Sequence, residues 1–522
     1  MSTISIIHSP STLTRFPCIF RTKPHPIIHH QRFTTRSAAG RRQLNLSVQS
    51  SSTASPVYVT LPLAELNVYA DPVGTVGRRE FTVESLGILA EAGVEGVVMD
   101  VWWGLVERDQ PRVYHWEPFL EMAELVQRSG LKIRVVLAFH EGYPHTQSCA
   151  EKVSLPLWIL EEFYKNRDLV CAERHGWHKE EYISLGCDTL PVLRGRSPLE
   201  AYADFMRSFR DNFRPFLGLV ITVSGYTYYT ISLMYAIDKK YIHNKSMQNL
   251  FLQGIQVGMG PEGELRYPSS DFQDLLLGRA GKFHCYDKYM VASLKEHARE
   301  VGMPEWGNVY RVAEQLQFAE NGNDSWNTPY GAFLLEWYSG MLLMHGERIC
   351  EQAEAIFSGT NVTMSAKLAG HYCHYLTQSH VSELTAGYYN TSTRDGYLPF
   401  ARMFARQTMS LRHGFALCCS CFDLKDEMER YPTSSPEGLL KQMLSAARVC
   451  GIPVEGETSA SLCNGRIISL KQVVTMSKHY LSGLENPSFS FKLRATKEEL
   501  FNSPKYWAMF TDFVSQMSNV ND

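Results

Sequence analysis

No run of eighteen uncharged apolar residues occurs anywhere in the 522-residue sequence, so no membrane-spanning helix is expected. Paired cysteine spacing is missing as well. The twelve cysteines are scattered, and the tightest group, Cys418-Cys419-Ser420-Cys421, lacks the second pair that a zinc site needs. On a strand, alternation would send Cys419 and Cys421 to one face and Cys418 to the other, so packed, reduced thiols are expected. Excess charge of either sign is absent. A formal net charge of -3 excludes the large electrostatic attraction that a general nucleic-acid or membrane-surface binder exploits, and a neutral or small substrate fits better.

One stretch lacks acidic residues altogether. Up to Ala64 the chain carries Arg15, Arg21, Lys23, Arg32, Arg36, Arg41 and Arg42 and no Asp or Glu, while Ser and Thr fill thirteen of the first fifty positions. That pattern predicts an organelle transit peptide over residues 1–55, without the apolar core of a secretory signal. Beyond it, 44 basic residues face 54 acidic ones.

From Pro56 onward, short apolar or β-branched runs alternate with longer amphipathic ones. Strands are expected at Tyr58–Leu61, Gly96–Trp103, Ile133–Phe139, within Leu219–Gly258, and at Met364–Gly370, Phe415–Phe422, Pro453–Gly456 and Phe491–Leu493. Eight βα units predict an α/β fold, a single (β/α)8 TIM barrel over residues 56–520 with long βα loops; a doubly wound sheet is the alternative. One connecting helix is signposted by Ser197 as N-cap, Pro198 behind it and Glu200 three residues on. Leu199, Tyr202, Phe205, Phe209 and Phe213 follow as an apolar stripe. Several strands end in Asp100, His140, Glu264 or Glu457. In a barrel these positions would converge at the carboxyl-end mouth, where barrel enzymes place their chemistry.

The segments Gly258-Met-Gly-Pro-Glu-Gly-Glu-Leu-Arg-Tyr-Pro-Ser269, Met99-Asp-Val-Trp-Trp-Gly104, Glu383-Leu-Thr-Ala-Gly-Tyr-Tyr-Asn390 and Phe283-His-Cys-Tyr-Asp-Lys-Tyr289 resemble plant β-amylase. The resemblance runs from about Pro56 to Met517. It implies a barrel enzyme that removes maltose from the non-reducing ends of α-1,4-glucans with inversion, in starch breakdown in the plastid stroma. It implies no metal, no cofactor, no nucleic acid and no membrane. Position by position, Glu264 matches the family's general acid and Glu457 its general base. Inversion needs a protonated carboxyl at the leaving oxygen and an ionised one activating water on the opposite face, roughly 6.5 to 9.5 Å away. Asp100, His140, Lys367 and Arg494 match positions that bind sugar hydroxyls or support the carboxylates. Ser420 stands where the family has an inner-loop Thr, and Thr458 belongs to the same substrate-binding set.

The departures from the family pattern are specific. Its Gly-Gly-Asn-Val-Gly-Asp lid is replaced by Phe139-His-Glu-Gly-Tyr-Pro-His-Thr-Gln-Ser148, its Ile-His-Trp-Trp by His371-Tyr-Cys-His374, and its Asn-Ala after the base by Thr458-Ser459. Glu262 replaces an alanine; it would raise the pKa of Glu264 by like-charge repulsion or face solvent. A lid that cannot close and a lost sugar-stacking Trp favour impaired turnover, and with it a second function: a non-catalytic barrel that binds glucan or a starch-metabolism protein partner. Finally, thirty-one residues, Val223–Gln253, interrupt what would otherwise read as one strand. Their edges, Val-Ser and Leu-Gln, are what intron borders GTAAGT and TTGCAG would encode. A retained in-frame intron is therefore the preferred reading over a loop insertion, with displacement of Glu264 from Glu457 expected if the segment is kept.

Overall fold

The computed structural model describes residues 55–61, 75–142, 152–217, 219–223, 226–230, 251–268, 281–309, 325–406, 414–459, 469–484, 488–495, 500–501 and 503–519. All of them fall within one compact unit, residues 53–522. The strands are β1 (Val57–Thr60), β2 (Gly96–Trp102), β3 (Lys132–Ala138), β4 (Val170–Ala172), β5 (His178–Ile183), β6 (Leu219–Val223), β7 (Tyr226–Thr230), β8 (Leu252–Val257), β9 (Thr363–Leu368), β10 (Phe415–Cys419), β11 (Val454–Glu457) and β12 (Phe489–Leu493). Eight of them, in the order β1-β12-β11-β10-β9-β8-β3-β2, close a barrel. β1 pairs in parallel with both β2 and β12, which rules out the open doubly wound sheet.

Side chains alternate across each barrel strand. The outward set, including Val97, Met99, Ile133, Val135, Leu137, Ile255, Val257, Met364, Ala366 and Leu417, is buried in one apolar core beneath the helices. The helix Pro198–Asn212 belongs to this shell and starts as expected. Ser197 and Glu200 form a reciprocal capping box, and Leu199, Tyr202, Phe205, Phe209 and Phe213 are all buried.

The fourth barrel strand differs from expectation. Leu219–Val223 is not part of the barrel; it pairs antiparallel with β7, and β8 supplies the barrel strand from Leu252 onward. The added segment thus does not split a ladder, because its last two residues, Leu252 and Gln253, begin the strand. The cysteine alternation also stops short. β10 ends at Cys419, and Cys421 lies beyond it with a left-handed φ of 75°. The nine described cysteines are free, eight of them buried.

Candidate active site

Glu264 is set by the loop that follows β8. Leu265 N donates to Lys367 O at 2.8 Å, Tyr388 Oη to Leu265 O at 2.6 Å and Tyr267 N to Ala386 O at 3.0 Å, so the loop is tied to β9 and to the helical turn Val381–Ala386. Glu457 closes β11. Between its two inward glutamates sits Gly456, where a Cβ would come within 2.8 Å of the Phe491 ring. Glycine there lets the outer face pack tightly while Glu455 and Glu457 point inward.

Both candidate carboxylates meet at one lysine. Lys367 Nζ lies 3.3 Å from Glu264 and 3.2 Å from Glu457. The expected displacement of Glu264 by the segment 223–253 is therefore not found. Glu264 is also bonded by Arg266 Nε at 2.9 Å. Glu457 takes Arg494 Nη2 at 2.5 Å and Lys492 Nζ at 3.3 Å, and accepts from Cys418 Sγ at 3.5 Å. Below it Lys492 pairs with Glu455 at 3.4 Å, and Glu455 with Arg134, whose guanidinium lies 4.5 Å from the Tyr58 ring centre. Charges of alternating sign thus run from mouth to floor: Arg266, Glu264, Lys367, Glu457, Lys492, Glu455, Arg134. Arg134, Glu455 and Lys492 were not read as site residues. Their signal was a charge at every second position of an otherwise apolar strand.

Direct pairing decides protonation here. Burial alone would raise the pKa of Glu264, but Lys367 and Arg266 outweigh it and hold the carboxyl below the usual range. Glu455 is lowered likewise, burial being outweighed by Arg134 and Lys492. Asp100, which makes no ion pair among the described residues, goes the other way. Burial raises it against the pull of Arg494. His140 is buried against Trp102, ring centres 4.9 Å apart; burial and the nearby Arg266, Lys367 and Arg494 push it down to about 3. His371, buried near Arg266, is pushed down to about 4. His140 Nδ1 and Arg494 Nη1 are both buried with no hydrogen-bond partner among the described residues.

The other expected positions divide. Thr458 is fully buried and its hydroxyl accepts from Arg494 N at 2.9 Å, so it sits behind the site and fixes Arg494. Ser459 is spent on Asp423, through N at 2.7 Å and Oγ at 2.9 Å. Ser420 follows β10 at the rim, against Gly370. Glu262 is 47% exposed and 3.6 Å from Arg266, and Glu264 is lowered, so like-charge repulsion does not win. Cys373 is buried. Most of the replaced lid, residues 143–148, lies outside the described residues.

The sequence pattern of Glycosyl hydrolase family 14 matches residues 58–227 and 240–521. The chain belongs to this family. Beta-amylase 1, chloroplastic, of Arabidopsis thaliana is 38% identical over 482 residues, covering 90% of this chain and 76% of that protein. Inactive beta-amylase 4, chloroplastic, also of Arabidopsis thaliana, is 33% identical over 519 residues, covering 96% and 89%. The catalytic domain of beta-amylase from Paenibacillus polymyxa superposes with a TM-score of 0.64 at 20% identity, covering 89% of this chain and 99% of that one, which shows the shared barrel. In this family 14 barrel the two glutamates singled out from sequence lie at the mouth, joined by a lysine also singled out. No described helix is long and apolar enough to cross a membrane.

Proposed function

We propose that this family 14 barrel works in plastid starch breakdown by holding the non-reducing ends of α-1,4-glucans between Glu264 and Glu457, and that its release of maltose is slow. The observation that carries the reading is the state of Glu264. A general acid must hold a proton near neutral pH, yet Glu264 is ion-paired to Arg266 and Lys367 and lowered. Each unit of lowering cuts the protonated fraction about tenfold. Lys367 also bridges the carboxylates. Glu264 Oε1 and Glu457 Oε1 lie 3.3 and 3.2 Å from its Nζ, so the two oxygens are no farther apart than about the short edge of the roughly 6.5–9.5 Å that inversion keeps open for sugar and water. His140 Nδ1 and Arg494 Nη1 supply unspent polar atoms for sugar hydroxyls.

A second reading, an active maltohydrolase with Glu264 as acid and Glu457 as base, is favoured by the same convergence on Lys367. A glucan that drew Lys367 aside would free Glu264 to rise. One preparation separates the two. Binding of maltoheptaose is measured by calorimetry beside maltose release from soluble starch, with Glu264→Gln as control. Binding with little maltose release supports holding; release at ordinary glycosidase rates that depends on Glu264 supports the hydrolase. Absence of glucan binding would leave the protein-partner role as the alternative.

A further inference from the structure

We propose that Trp177 is an added sugar platform at the rim of the cleft, stacking on a glucose unit of a glucan whose end occupies the mouth. The proposal rests on the glucan reading above. Among the described residues only two aromatic side chains are exposed, Tyr164 at 83% and Trp177 at 71%. Tyr164 lies on the helix Leu157–Lys165, whereas Trp177 lies at the turn between β4 and β5, on the chain that borders the mouth. Glu141, the residue after His140, donates its N–H to Glu181 O at 2.8 Å. The charge of Glu181 acts on Arg266, the partner of Glu264. Trp177 is four positions from Glu181, a span of at most about 14 Å. That places Trp177 within reach of a glucan whose remainder leaves the mouth across this hairpin.

The turn is fixed before any ligand arrives. Gly176 takes a left-handed φ of 78°, open to glycine at no steric cost, and Gly176 N donates to Glu173 O at 3.0 Å. Glu173 N donates to Trp177 O at 3.0 Å, and the Glu173 carboxylate pairs with Lys282 at 2.7 Å. A sugar presents a face of C–H groups to an aromatic ring, and a pre-set indole binds it without ordering a loop. Long glucans reach this ring and very short ones do not.

The test is calorimetry on the full chain with maltotriose and with soluble amylose, on wild type, Trp177→Ala and Trp177→Phe, each checked by thermal melting. Trp177→Ala is expected to weaken amylose roughly three- to tenfold and leave maltotriose unchanged, with Trp177→Phe recovering most of the loss. Wild-type affinity for amylose in Trp177→Ala would overturn the proposal. If the wild type binds amylose but not maltotriose, the cleft reading fails, and loss or retention of amylose binding in Trp177→Ala still decides for or against the platform. A wild type that binds neither overturns both.

Discussion

The two faces of the same eight strands are built on opposite principles. Outward, β3 presents Val135 and Leu137 to a continuous apolar core; inward, it presents Arg134 to Glu455 and Val136 to a separate small cluster with Tyr58 and Val98. The outward face is held by area removed from water and tolerates exchange of one apolar side chain for another of similar size. The inward face is held by matching. Arg134, Arg266, Lys367, Lys492 and Arg494 face Asp100, Glu264, Glu455 and Glu457 in a largely buried interior, so removing one member weakens the compensation of its partners. The lesson concerns chemistry as much as stability. The pairing that offsets the cost of the polar interior also biases which groups keep a proton, and at Glu264 it favours the ionised form.

The largest effect expected from breaking this contrast comes from the inner face. Glu455→Ala leaves the buried Arg134 without its carboxylate and Lys492 with Glu457 alone, and should cost about 3–5 kcal/mol in denaturant unfolding; a loss under about 1 kcal/mol would mean that water or neighbours solvate Arg134. On the outer face, Leu137→Ala should cost roughly 2–5 kcal/mol through its cavity while maltoheptaose binding by the folded protein stays intact. Acidity probes the inner face again. His140 and His371 are lowered to about 3 and about 4, below the roughly 6.5 of an unfolded histidine. Between these values the unfolded chain binds more protons, so stability is full above about pH 6.5 and falls as pH drops, by about 1.4 kcal/mol per unit for each histidine. Replacing His371 by Asn should flatten that slope; an unchanged slope would place the titration elsewhere. The smallest effect is expected from deleting Val223–Gln253. Ile221 and Thr222 would then run into Gly254 and take the ladder places of Leu252 and Gln253, so a thermal melt within a few degrees of the parent is expected, and a collapse of the fold would count against it. We propose a retained intron for this segment on its edge residues, and transcripts that always include it would refute that origin.

The outer face was legible in the sequence because apolar runs repeat with the strand period, and seven of the eight barrel strands fall within two residues of expectation at their starts. The capping box at Ser197 was equally plain, since its two bonds are local. The fourth strand was not, because Leu219–Val223 and Leu252–Val257 both read as strands and only three-dimensional pairing assigns one to the barrel. Glu264, Glu457, Lys367 and Arg494 were found through family motifs and do converge. Thr458 was misjudged as facing substrate because a hydroxyl beside a carboxylate says nothing about which way it bonds. Arg134, Glu455 and Lys492 were passed over because, despite the period-two placement of charge, each meets its partner only across the barrel.

Slow turnover follows from the ionisation of one side chain, and carbon-13 titration of glutamate carboxyls in selectively labelled protein reads it directly, the Glu264 signal being the one absent from Glu264→Gln. A midpoint below that of an ordinary glutamate is predicted, rising when Lys367 is replaced by Met. A Glu264 that titrates near neutral pH in the resting protein would contradict the account and return the barrel to the ordinary inverting hydrolases.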